Sequence, residues 1–195
     1  MNEVPALALA PAEPPGLTLP TTVCRRLAHD LPRAAGPEAA LAIVEGVRQE
    51  LLGDGLLTVN LNVTPADAAP DVVELQRAWS SRPVHYPVAG RKRKTLTAWT
   101  RQLLQRAEVF VGEGDDALAA VFDDAQRIRS MGLHAVVNVP LVEPGGRCFA
   151  TFNVLGGNGA WTAQERMLVE LLAALALPAV RGFAERSREA GTMPR

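Results

Sequence analysis

Among its 195 residues the chain has only two cysteines, Cys24 and Cys148, and they fall in separate predicted elements. That excludes a disulfide framework and a cysteine-built metal centre, and a reducing cytoplasm is the expected compartment. The three histidines, His29, His85 and His134, have no short spacing, so no metal site is expected. No charge of one sign dominates either. A net charge of −1 leaves no broad basic footprint for nucleic acid. The apolar stretch Val4–Ala12 is not preceded by basic residues and is too short to cross a bilayer, so neither a signal peptide nor a membrane span is expected. The turn Gly156-Gly157-Asn158-Gly159 lacks the Gly-Lys-Ser/Thr sequel of a phosphate cradle, and no other cofactor motif is legible.

What is there suffices for one globular domain: 48% hydrophobic and 21% charged residues. Five prolines within residues 1–20 read as a disordered leader, residues 21–186 as a single domain with an N-terminal helical extension, and 187–195 as a frayed tail. A short helix is expected over Thr21–Leu31 and a second from Pro37, whose apolar positions Ala40, Ile43, Val44, Val47 and Leu51 share one face. Strict alternation at Leu57, Val59, Leu61 and Val63, with Thr58, Asn60 and Asn62 between, predicts a strand with one polar face. Val72–Ser80 is its expected hairpin partner, with Val73, Leu75 and Trp79 on one face. Ser81–Thr95, containing the basic run Arg91-Lys92-Arg93-Lys94, reads as a loop.

Thr97–Gln105 is predicted helical, Glu108–Val111 a short strand and Asp115–Met131 one helix. Two strands, Leu133–Val142 and Arg147–Leu155, flank a turn at Glu143–Gly146. The capping box from Thr162 to Glu165 starts a last helix with Leu168, Leu171, Leu172, Leu175 and Phe183 on its apolar face and a kink expected at Pro178. A two-residue turn would pair Leu141 with Cys148, Val139 with Ala150 and Val137 with Phe152. The opposite face then carries Asn138, Thr151 and Asn153. Polar groups on a covered sheet face must be paired or bound to something, so this face is the expected small-molecule site.

Phe122–Leu155 resembles the C-terminal half of GAF domains: the small turn Ser130–Leu133, the strand Asn138-Val139-Pro140, and the return strand ending Asn153-Val154-Leu155. The final helix after Trp161-Thr162 and the upstream stretch Ser80–Lys94 fit the same family, over roughly residues 37–186. The resemblance implies an α+β sandwich: a six-stranded antiparallel sheet, terminal helices on one face, and a ligand pocket under helices and loops on the other. It lacks the NKxxxxxF pattern of cyclic-nucleotide binders, a suitably placed bilin cysteine and the cysteine set of free methionine sulfoxide reductases, and Ala150 replaces a common glycine.

The ligand contacts expected on this basis are Asn138, Asn153, Thr151 and Asn60 from the sheet. His134, Asp123, Tyr86, Trp79 and Trp99 would approach around them, and Lys94 or Arg91 would supply charge to a small polar or anionic metabolite. Cys148 is expected on the apolar, helix-packed face. The first reading is a ligand-sensing module that pairs through its terminal helices into a homodimer. With no kinase, cyclase or DNA-binding pattern legible, an enzyme on the same scaffold stays open beside it, with His134 and Asp123 as its acid/base groups.

Overall fold

The computed structural model describes residues 17–193. The leader expected over residues 1–20 thus lies mostly outside the described residues, but Leu17 and Leu19 pack against the main core. Helix α1, Thr21–Arg25, runs on through tighter and wider turns to Arg33. Helix α2, Pro37–Leu52, starts at the proline as its fixed φ favours and ends at Gly53, where φ is +74°.

Six antiparallel strands follow: β1 Gly55–Asn62, β2 Val72–Ser80, β3 Arg91–Thr95, β4 Phe110–Glu113, β5 Ala135–Val142 and β6 Cys148–Gly156, in spatial order β3-β2-β1-β6-β5-β4. Between them lie α3, Ala98–Thr100, which continues as a wide turn to Gln105, then α4, Gly114–Val121, and α5, Ala125–Ser130. Helix α6, Ala163–Glu189, closes the described chain and carries the expected Thr162–Glu165 capping box. It runs through the exposed Pro178 as one helix.

Alternation decides the layers. Leu57, Val59 and Leu61 point to one face, where α2 and α6 cover them and form the main core with Phe152, Leu172 and Val180. By length and composition α6 could cross a bilayer, but nine of its residues, from Leu168 to Ala184, are buried against the sheet and α2. Met193, in the stretch expected to fray, is also buried. On the opposite face two smaller apolar clusters stand apart. One forms under α4 and α5 around Leu118, Ile128 and Leu155, and the other under α3 around Leu75, Trp99 and Leu103.

Four departures from the expected elements bear on the site. The basic run is the edge strand β3 rather than a loop, pairing Val73 with Lys94 and Leu75 with Lys92. Strand β2 carries a bulge at Ala78: Val59 pairs with Trp79 but Asn60 pairs with Arg77. The extra residue reverses the alternation, so Val73, Leu75 and Arg77 share the site face, while Trp79 turns to the main core.

The helix expected over Asp115–Met131 breaks at Phe122, whose backbone is extended, into α4 and α5. Finally, the last hairpin has a three-residue loop closed by the Glu143 N–H on the Arg147 carbonyl, with Gly145 and Gly146 at positive φ. A bulge at Phe149 follows. Together they displace the register by two residues, so Leu141 pairs with Ala150, Val139 with Phe152 and Asn138 with Asn153. A shift of two preserves faces, so Asn138 and Asn153 keep the polar side. Cys148 precedes the bulge and lands on the site face among Leu103 and Leu104, not on the helix-packed face.

Candidate functional site

Between the two small clusters the sheet, α3, α5 and the segment 81–90 enclose a cavity with about 60 Å³ of room for water centres. Its floor is the polar row of the sheet. Trp99 Nε1 donates to Asn138 Oδ1 at 3.0 Å, and Asn138 Nδ2 donates to Asn153 Oδ1 at 2.9 Å. Asn153 Nδ2 in turn faces Thr58 and Thr151 oxygens at 3.1–3.4 Å. Alternation supplies these groups and burial obliges them to pair. Thr58, Asn138, Asn153 and Trp99 line the cavity; Thr151 lies in the network behind them. The amides Asn138 and Asn153 are therefore engaged with one another. Asn60 also lines the cavity, and its amide has no hydrogen-bond partner among the described residues.

The side of the cavity toward the edge strand is charged. Lys92, from the edge strand, stands at the mouth with Nζ 3.3 Å from Asp124 Oδ2. Burial works to raise the Asp124 carboxyl, but the charge and hydrogen bond of Lys92 outweigh it and hold the group below its ordinary value. Arg77 comes off β2, with its guanidinium 4.8 Å from the centre of the Tyr86 ring and Nη1 donating to the Pro87 carbonyl at 3.1 Å. Its Nε is buried and has no partner, and burial pulls its ionisation downward. Tyr86 plugs the cavity from the segment 81–90. Its hydroxyl is buried without a well-formed hydrogen bond although the Asp124 carboxylate is near. Burial, then that carboxylate, push the hydroxyl well above its usual range.

Of the residues expected from sequence, Asn60, Asn138, Asn153, Tyr86 and Trp99 thus meet at the cavity. Lys94 sits just outside it, over the Trp99 ring at 5.3 Å and 3.4 Å from Asp123. The others are placed elsewhere. Trp79 faces the main core because of the bulge in β2. Arg91 is on the other face of β3, where it donates to the Thr192 carbonyl. Asp123 is exposed and its neighbour Asp124 lines the cavity, because the break between α4 and α5 removes the helical offset of about 100° between successive residues. His134 bonds Asp115 of α4 at 2.8 Å and does not line the cavity. The expected acid/base pair of His134 and Asp123 is therefore not assembled.

Sequence reading missed Arg77 and Lys92, and of the pair Asp123 and Asp124 it favoured Asp123 where Asp124 lines the cavity. Arg77 was hidden by a bulge that no residue type announces, and Lys92 by a run that looks like a solvated loop. The clue to Lys92 was available: alternate residues of a basic edge strand point to opposite faces.

A sheet with terminal helices on one face and a roofed, partly polar cavity on the other defines a small-molecule-binding sensory module. The chain belongs to the GAF domain family, whose model matches residues 20–180. Solved structures agree on the fold. The GAF domain of a phosphoenolpyruvate-protein phosphotransferase from Coxiella burnetii is similar, with TM-score 0.57 and 16% identity, over 89% of this chain and 96% of that one. The chromophore-binding domain of a bacteriophytochrome from R. palustris matches at TM-score 0.56 and 15% identity, over 86% of this chain and 61% of that one. The chain thus spans less than two thirds of that phytochrome fragment. A segment of a methyl-accepting chemotaxis protein matches at TM-score 0.55 and 14% identity, over 84% and 98%. No curated protein matches the sequence.

Proposed function

We propose that this GAF domain is a sensor for a small polar metabolite bound between the sheet and the segment 81–90. The observation that carries the reading is the cavity itself, where buried polar atoms of Arg77 and Tyr86 are left without partners beside the free amide of Asn60. An unpaired buried polar group costs roughly 1–3 kcal/mol, which a bound ligand recovers. Room of about 60 Å³ suits a small ligand.

Occupancy would be read through β1 and β6, which form the cavity floor with one face and pack on α2 and α6 with the other. The exposed stripe Met167, Leu171, Ala174 and Pro178 on α6 repeats at spacings of four, three and four residues, and it supports pairing of two copies along that helix.

A thermal-shift screen against a metabolite library tests the reading, with Asn60→Phe as a variant whose ring fills the cavity. A ligand raises the wild-type midpoint with dose, by roughly 2.7 kcal/mol of stability at a hundredfold excess over its dissociation constant, and leaves Asn60→Phe unmoved. Hits that shift both proteins equally would place binding elsewhere, and a screen without hits would remove the sensor reading.

A further inference from the structure

We infer that the cavity selects a small monocarboxylate with a short apolar body, its carboxylate seated on Arg77. The inference rests on the cavity being the ligand site and adds what the ligand must be.

All but one of the neutral polar groups of the floor are already spent, Asn60 alone keeping a free amide. Trp99, Asn138 and Asn153 satisfy one another and the threonines beside them, so they offer a ligand a shaped wall rather than free donors. The other unspent groups lie beside Asn60, on β2 and in the segment 81–90. Arg77 Nε is a donor by nature, buried and unpaired, and Arg77 forms no ion pair among the described residues. The Tyr86 hydroxyl is buried as well, but the Asp124 carboxylate stands beside it as an acceptor. An Arg77 donor without an acceptor calls for a ligand acceptor, and a guanidinium held in a low-dielectric pocket calls for a charged one.

The charge count points the same way. Three lining residues are charged: Arg77 and Lys92 are cationic and Asp124 anionic. Lys92 and Asp124 neutralise each other at 3.3 Å, which leaves one positive charge unanswered and fits one negative charge on the ligand. That same pairing leaves no free carboxylate to receive an ammonium, so a zwitterionic amino acid is disfavoured.

The remaining surface is apolar. Leu56, Leu75, Phe122, Ile128 and Leu155 also line the cavity, and they favour carbon over a bare inorganic oxyanion. With about 60 Å³ of room the cavity favours a short chain. A carboxylate on a short carbon chain meets both requirements.

The test is titration calorimetry of the full chain with sodium butyrate, butyramide of the same shape, 2-aminobutyrate, and sodium nitrate at matched ionic strength. Butyrate is expected to bind saturably and at least about tenfold more tightly than the other three, which is the scale of one charge-assisted hydrogen bond. Arg77→Met should weaken butyrate at least about tenfold while keeping a cooperative thermal transition. If that variant does not fold, Arg77→Lys is read in its place: it keeps the charge, loses the Nε donor, and should weaken butyrate severalfold.

Butyramide or nitrate binding as tightly as butyrate would overturn the carboxylate or the apolar half of the inference and leave the sensor reading standing. Equal binding by 2-aminobutyrate would overturn the selection of a monocarboxylate over a zwitterion. Undiminished butyrate binding in a folded Arg77 variant would overturn the assignment of the anchor. If none of the four probes binds, the inference fails, and the library screen with Asn60→Phe separately decides whether the cavity is a ligand site at all.

Discussion

Cys148 shows how one residue's chemistry follows from a single inserted backbone position. The bulge at Phe149 turns its side chain onto the site face, under Leu103 and Leu104, where its thiol donates to the Ala150 carbonyl and burial pushes it up to about 12. A thiol held neutral is a poor nucleophile, whichever face it occupies. Cys24, by contrast, is exposed. Alkylation of the native protein at pH 8 should therefore modify one thiol per chain, at Cys24, and a second only in denaturant. Native labelling of Cys148 at the Cys24 rate, read by peptide mass spectrometry, would mean that the cover over β6 opens freely. The same thiol makes stability fall as pH rises from the unfolded value near 9 toward 12, since only the unfolded chain can then release its proton easily.

Arg48 and Gly55 set the geometry where α2 hands over to the sheet. Arg48 is fully buried, paired with Glu45 through Nε at 2.6 Å and Nη2 at 3.0 Å, and its Nη1 donates to the Gly53 carbonyl at 3.1 Å. A Cβ on Gly55 would lie 2.5 Å from the Leu155 carbonyl oxygen and 2.7 Å from Arg48 Nη1. The first of these is backbone and cannot swing aside. Gly55→Ala should therefore cost about 1–3 kcal/mol in chemical denaturation, and it would displace the start of β1 from β6. A neutral result would show that this junction yields.

The same scale shows what the sequence could not convey. The amphipathic faces of α2, β1 and α6 were legible because burial repeats at the period of each element. The two bulges and the break at Phe122 were not, because each is one residue long and has no composition of its own. The bulge in β2 nevertheless moved Trp79 out of the site and Arg77 in, Asp124 took the place of Asp123 beside the break, and the bulge at Phe149 turned Cys148 onto the site face.

At the scale of the whole molecule, two faces of one sheet carry two tasks. The face under α2 and α6 is dry and continuous, and ion pairs tie its helices at the surface, Arg186 to Glu38 at 2.6 Å and Arg188 to Glu143. The other face is split by the cavity. If two copies pair along α6, the exposed Met167 and Leu171, at 57% and 37%, are the apolar groups they bury. Leu171→Glu is then expected to leave the fold intact and turn a dimer into a monomer in multi-angle light scattering. A wild-type protein that is monomeric at high concentration would dispose of the pairing.

The sequence by itself determined the order of the elements apart from β3 and the break between α4 and α5, and the polar row Thr58, Asn60, Asn138 and Asn153, because these depend on periodicity and on local turn and capping chemistry; the family was legible in the resemblance of Phe122–Leu155. Only the tertiary structure decided which groups are left unpaired. Whether an asparagine is spent on its neighbour or an arginine stands alone depends on partners far apart in the chain, such as Trp99 with Asn138 or Arg77 with Tyr86 and Pro87. Such pairings depend on sheet register and on bulges, and a shift of a single residue there exchanges one face for the other.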